Sequence, residues 1–155
     1  MPGEFYIEGK KERVDISGIV AGIDEVKSAA GGIESQTDKL AGETPLIGST
    51  TADWQTAEAD VVSVGADGSR HKVHDLTLSI HNLSGTAVTI RLYKKVNGEE
   101  RKCYQQTFDA SVDPPGLPVV NGTWGIHGAL RVTLRSNNAA DNGRAVDYDC
   151  MLEAM

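Results

Sequence analysis

Residues 72–108, KVHDLTLSIHNLSGTAVTIRLYKKVNGEERKCYQQTF, decide the fold class. Leu76, Leu78 and Ile80 alternate with Asp75, Thr77 and Ser79, and Val88, Ile90 and Leu92 resume the same period after Asn82-Leu83-Ser84-Gly85. A two-residue period places one set of side chains on each face of a strand. Asn97-Gly98 then separates two such runs by two residues, the strongest short hairpin signal a sequence carries. The returning run, residues 101–108, is expected to put Tyr104 and Phe108 on one face.

The pattern extends in both directions. Upstream, residues 61–64 predict a short strand and Ala66-Asp67-Gly68 a turn. Downstream, Val112-Asp113-Pro114-Pro115-Gly116 cannot continue a central strand, because proline lacks the donor. Residues 117–121 read as a short edge segment. Leu130, Val132 and Leu134 alternate with Arg131, Thr133 and Arg135. Residues 137–143 form a polar loop, and Val146, Tyr148, Cys150 and Leu152 close the chain. Seven or eight short antiparallel strands predict an all-β sandwich over residues 60–155, most simply of the jelly-roll type.

Ahead of this domain the period changes. Ile16, Ile19, Ile23, Val26, Ala30, Ile33, Thr37 and Leu40 occupy positions a and d of one heptad register. Residues 16–41 therefore predict a helix with an oligomerisation seam, and β-branched residues at both a and d favour three strands. Asp15 or Ser17 can cap its start. Gly18, Gly22, Gly31 and Gly32 weaken it, each costing about 1 kcal/mol against alanine. The alternatives are a lone amphipathic helix on the chain's own β-domain and an irregular wrap around a neighbour. Residues 42–59 read as a linker, with Pro45 and Gly48 against regular structure. Trp54 within it either plugs an end of the sandwich or, with Trp124, offers an aromatic contact for a glycan.

Residues 1–15 read either as a frayed terminus or as an arm for docking on a partner, the reading favoured here, with Phe5, Tyr6 and Ile7 as an apolar anchor and Lys10, Lys11 and Arg13 as a basic one. A net charge of −7 argues against nucleic acid and anionic lipid as partners. No stretch approaches the ~20 apolar residues of a membrane span, and the first residues lack the apolar core of a secretory signal. Two cysteines, Cys103 and Cys150, make no disulfide framework. These features suit a chain folded in a reducing cytosol.

Catalytic and metal motifs are not found. His71 and His74, three apart on a strand, are expected on opposite faces. Asp141, Asn137 and Asn138 carry oxygen ligands suited to calcium, but their spacing matches no known loop, and a solvated loop is the simpler reading. No GxSxG elbow and no GxxxxGK[ST] loop occurs. The expectation is a protein without enzymatic activity, cofactor or metal.

An arm, a short Ile/Val/Ala heptad segment and a terminal sandwich together resemble the virion surface proteins of tailed phages: trimeric capsid decoration (cement) proteins, head fibres and short tail-fibre heads. The resemblance implies a homo-oligomer, favouring a trimer, made in the host cytoplasm and placed on the virion surface against a capsid or other virion protein. It implies Phe5, Tyr6 and Ile7 as the anchor and Ile16, Ile19, Ile23, Val26, Ile33 and Leu40 as the seam. The alternative is a receptor- or carbohydrate-binding fibre head.

Overall fold

The computed structural model describes the backbone of residues 6–7, 10–13, 15–40 and 42–155, and the side chains of residues 15–34 and 42–155. The chain divides into two units, Met1–Ala41 and Gly42–Met155.

In the first unit β1 (Tyr6–Ile7) pairs antiparallel with β2 (Lys10–Arg13), with Tyr6 opposite Arg13 and Ile7 opposite Lys10. Helix α1 (Ser17–Leu40) follows. Its first turn is capped by Asp15, whose Oδ1 accepts the Ser17 backbone N–H at 2.9 Å. That bond satisfies one of the donors every helix start leaves open. The arm expected to dock on a partner lies largely outside the described residues: Phe5 wholly so, and Tyr6, Ile7, Lys10, Lys11 and Arg13 in their side chains. The same holds for the side chain of Leu40.

In the second unit the Asn97-Gly98 hairpin forms as its sequence requires. φ is 52° at Asn97 and 81° at Gly98, the paired positive values of a two-residue turn. The strands it joins are β6 (Val88–Val96) and β7 (Glu99–Phe108). Around them lie β3 (Glu43–Thr51), β4 (Ala59–Val64), β5 (His71–Ser79), β8 (Gly116–Ile126), β9 (Leu130–Arg135) and β10 (Ala145–Ala154). Two four-stranded antiparallel sheets result, ordered β3-β10-β5-β8 and β4-β9-β6-β7. They pack as a sandwich around aliphatic side chains, among them Leu76 and Leu78 of β5, Ile90 and Leu92 of β6, and Leu130 and Leu134 of β9.

The expected linker is corrected here. Residues 43–51 form β3, which pairs with β10 along its whole length, from Glu43 opposite Glu153 to Thr51 opposite Ala145. Pro45 is tolerated because β3 is an edge strand with one side unpaired. Gly48 lies opposite Tyr148, and a Cβ built there would collide with the tyrosine ring. The glycine read as loosening the chain is what lets that ring pack. The sandwich thus begins about seventeen residues earlier than the alternation alone indicates. The edge segment expected at 117–121 is likewise longer, running Gly116–Ile126.

Several register shifts interrupt the two-residue period, three of them in β4, β5 and β7. One in β4 leaves Val61 and Val62 both buried. One in β5 separates the buried Val73 and Leu76 by three residues. One in β7 passes over Cys103, so that Tyr93 faces Lys102 and Leu92 faces Tyr104. Each is an extra residue accommodated by a local bulge.

Candidate functional site

Two surfaces stand out, one on each unit. On α1 the heptad residues are open to solvent: Ile19 is 64% exposed, Ile23 50% and Val26 69%, with Ile33 exposed as well and Ile16 half-buried. Exposed aliphatics at this spacing make a continuous apolar stripe along one side of the helix.

The second surface is the end of the sandwich where residues 52–58, 80–87, 109–115 and 136–144 connect the strands. Asp141 is its hub. The carboxylate is fully buried and accepts four hydrogen bonds: from the Ser84 backbone N–H at 2.8 Å, Ser84 Oγ at 3.0 Å, the Gly85 N–H at 3.0 Å and Ser136 Oγ at 2.5 Å. Those donors use all the lone-pair sites a carboxylate offers. Neither a solvated loop nor an ion-binding one describes it. Further bonds tie the remaining connections to this hub. Gly85 O accepts from Ala110 N, Trp54 O from Ser136 N, and Asn142 Oδ1 from Gln55 N. Segments expected as part of a linker and as a polar loop are joined here in one hydrogen-bonded scaffold.

Trp54 belongs to that scaffold. Its side chain is fully buried, and Nε1 donates to Arg144 O at 2.7 Å. The plug reading holds and the glycan-contact reading is corrected, since a buried indole has no face to offer. Trp124, on β8, is half-buried against the core.

Beside this end, the outer face of the β4-β9-β6-β7 sheet carries a network of charges. Glu58 accepts from Tyr93 Oη at 2.7 Å, Arg91 at 2.7 Å and Thr133 Oγ1 at 2.5 Å. Desolvation pulls its pKa up, but the bonds from Thr133 and Tyr93 and the charges of Arg91 and Arg131 outweigh it and leave the pKa below the usual value. Arg131 pairs with Asp60 at 2.6 Å and Glu100 at 2.7 Å, and its guanidinium sits 4.5 Å from the Tyr93 ring centroid. Arg91 and Arg131 are thereby neutralised.

Arg135 is not. It is exposed and has no carboxylate within ion-pair distance among the described residues. It lines a trough of about 410 Å³ together with Gln55, Ala87, Thr89, Arg91, Ser136 and Asn137. Two arginines and no acid line this trough, on a chain of net charge −7. Sequence reading passed over it because Arg135 alternates with Leu134 just as Arg131 does with Val132. Only the folded register shows that Arg131 has acidic partners while Arg135 has none among the described residues.

A second depression, of about 440 Å³, crosses β3, β10 and β5 between Ile47, Thr77, Ser79, Asp147 and Asp149. His71 and His74 take separate partners: His71 Nδ1 lies 3.4 Å from Ser69 Oγ, while His74 bridges Thr123 at 3.1 Å and Glu153 at 2.8 Å. Cys150 is buried in the core, and desolvation first, then the charges of Asp75 and Asp149, push its thiol up to about 11. No group of three His, Cys, Asp or Glu side chains suited to a metal occurs among the described residues. No helix among them is long and apolar enough to cross a membrane.

No protein-family model matches the chain, and no curated protein matches it significantly.

Proposed function

We propose that this protein is an oligomeric virion surface protein of the capsid decoration (cement) kind, without enzymatic activity, in which α1 joins sister chains and the sandwich is a jelly roll displayed outward. The observation that carries the reading is the solvent exposure of Ile19, Ile23 and Val26 at successive a and d positions of α1. Burying an aliphatic side chain contributes roughly 2 kcal/mol, and a parallel coiled coil is the arrangement that buries this spacing on every chain alike. The resemblance in organisation to tailed-phage virion proteins supplies the viral assignment.

The strand pairing supports the jelly roll. Counting the sandwich strands in order, first pairs with last (β3·β10), second with seventh (β4·β9), third with sixth (β5·β8) and fourth with fifth (β6·β7). That pairing is what one long hairpin, turned at Asn97-Gly98 and rolled into two sheets, would give, and it favours a double Greek key. The mechanism would be mechanical: each subunit adds a modest contact, and symmetric repetition multiplies it into a strong clamp.

Light scattering on a concentration series tests the reading. The full chain is expected to reach the mass of a trimer, and Ile23→Asp to remain monomeric with its β-sheet circular dichroism unchanged. A full chain that stays monomeric at high concentration overturns it.

A further inference from the structure

We propose that the trough at the loop-bearing end of the sandwich binds the carboxylate of an acidic saccharide, with Arg135 as its charged anchor. This reading is independent of α1 and of self-association. The first argument is electrostatic. Of the three arginines on that sheet face, Arg91 is held by Glu58 and Arg131 by Asp60 and Glu100, while Arg135 has no anionic partner among the described residues. An exposed guanidinium in a lining without acids presents a planar fork of donors matched to a carboxylate.

The second argument is the inventory of unused donors. No buried side-chain nitrogen or oxygen among the described residues lacks a partner. The open capacity is therefore on the solvent side, and part of it lies in this trough. The Gln55 side-chain amide and the Arg135 guanidinium make no hydrogen bond to any described residue. Arg91 uses Nε on Gln105 and one terminal nitrogen on Glu58, leaving the other for a ligand. The Gln55 amide provides a group of the kind that bonds sugar hydroxyls, while Asn137, whose Oδ1 accepts from Ala87 N and whose Nδ2 donates to Thr86 Oγ1, and Thr89, whose hydroxyl pairs with Thr107 Oγ1, keep only their second donor or acceptor positions for a ligand.

The third argument is size and rigidity. About 410 Å³ exceeds what an inorganic ion needs and falls in the range of small-ligand sites. One wall is fixed before binding: Ser136 by Asp141, Asn137 by Ala87 and Thr86, and the Gln55 backbone by Asn142. Pre-organisation lowers the cost of binding. No aromatic side chain lines the trough, so affinity rests on one charge and several hydrogen bonds, and a single site is expected to bind on the order of 1 mM. The chain's overall negative charge disfavours long polyanions and leaves a singly charged sugar as the better match.

The test is an amide NMR titration of the full chain with sialyllactose and a galacturonic acid trimer as probes, against lactose, sodium phosphate and an acetylated tri-glutamate peptide. Both carboxylated sugars, or either, should shift resonances of Arg135, Gln55 and Thr89, lactose should not, and Arg135→Gln should weaken binding at least about tenfold. Arg135→Lys, which keeps the charge and loses the fork, should fall between the two. The proposal is overturned if neither carboxylated sugar binds, if lactose binds as well, if Arg135→Gln leaves affinity unchanged, or if phosphate or the peptide binds as tightly as the sugars. The Arg135 side chain holds no partner among the described residues, so Arg135→Gln should melt like the parent chain. If it does not, Gln55→Ala gives the same readout from another lining residue.

Discussion

Asp141 shows how a single residue organises one end of the molecule. A carboxylate is acceptor-only, and this one receives two backbone N–H groups and two hydroxyls from two different loops. Asp141→Ala removes the acceptor and leaves those donors buried without partners, which costs on the order of 3 kcal/mol. Urea unfolding should show the midpoint fall with an unchanged slope, and an unchanged midpoint would deny the hub its role. Gly85→Ala should act in the same direction, because its Cβ would come within 2.9 Å of Asn137 Oδ1 and Asp141 Oδ2. Glu58 makes a different prediction. Its folded pKa lies below the ordinary 4.5, so its contribution to stability is complete above that value and is lost as pH falls through the folded pKa. Stability measured by urea from pH 6 down to pH 3 should decline more steeply for the parent than for Glu58→Gln. None of this was legible beforehand. Glu58 and Asp141 look like ordinary loop acids in sequence, and apart from Ser136 their partners lie 33 to 75 residues away.

At the scale of elements, what the sequence disclosed depended on whether local pattern and tertiary packing agreed. β5, β6 and β7 were readable from alternation and Asn97-Gly98, since one buried face and one tight turn impose those residues directly. β3 was not, because an edge strand tolerates Pro45, and Gly48 is there to admit the Tyr148 ring, a reason lying 100 residues away. The trough residues Gln55, Thr89 and Arg135 come from a loop and two strands, so no spacing announces them. α1 was readable in its heptad and also in its weakness. Gly31 and Gly32 fall at positions b and c, away from the a/d seam, and a Cβ at either meets nothing within 4 Å. Replacing each by alanine should therefore stabilise the helix by about 1 kcal/mol without altering the seam. Circular dichroism should report more helix and light scattering tighter self-association. Weaker association in Gly31→Ala or Gly32→Ala would mean the glycines, rather than the aliphatic stripe, make the contact between chains.

For the whole molecule the two units make different thermodynamic demands. The sandwich completes its own sheets and core, and among its described residues every buried side-chain polar atom has a partner. A fragment of residues 42–155 should therefore fold alone and stay monomeric. α1 is a 24-residue helix with several interior glycines, and a lone helix of that composition is marginal in water. Its stability must come from burying the stripe, and if sister chains bury it, mass action makes that stability depend on concentration. Thermal unfolding of the full chain should accordingly resolve two transitions. The helical one should rise in temperature with protein concentration, while the sandwich transition should match that of the 42–155 fragment at every concentration. Removing residues 1–15 should leave both transitions in place and, if the arm docks on a virion, abolish binding to particles. A single transition that moves as a whole with concentration would mean that the sandwich itself depends on assembly. A helical transition indifferent to concentration would mean the stripe is buried within one chain, and the oligomeric reading would fall with it.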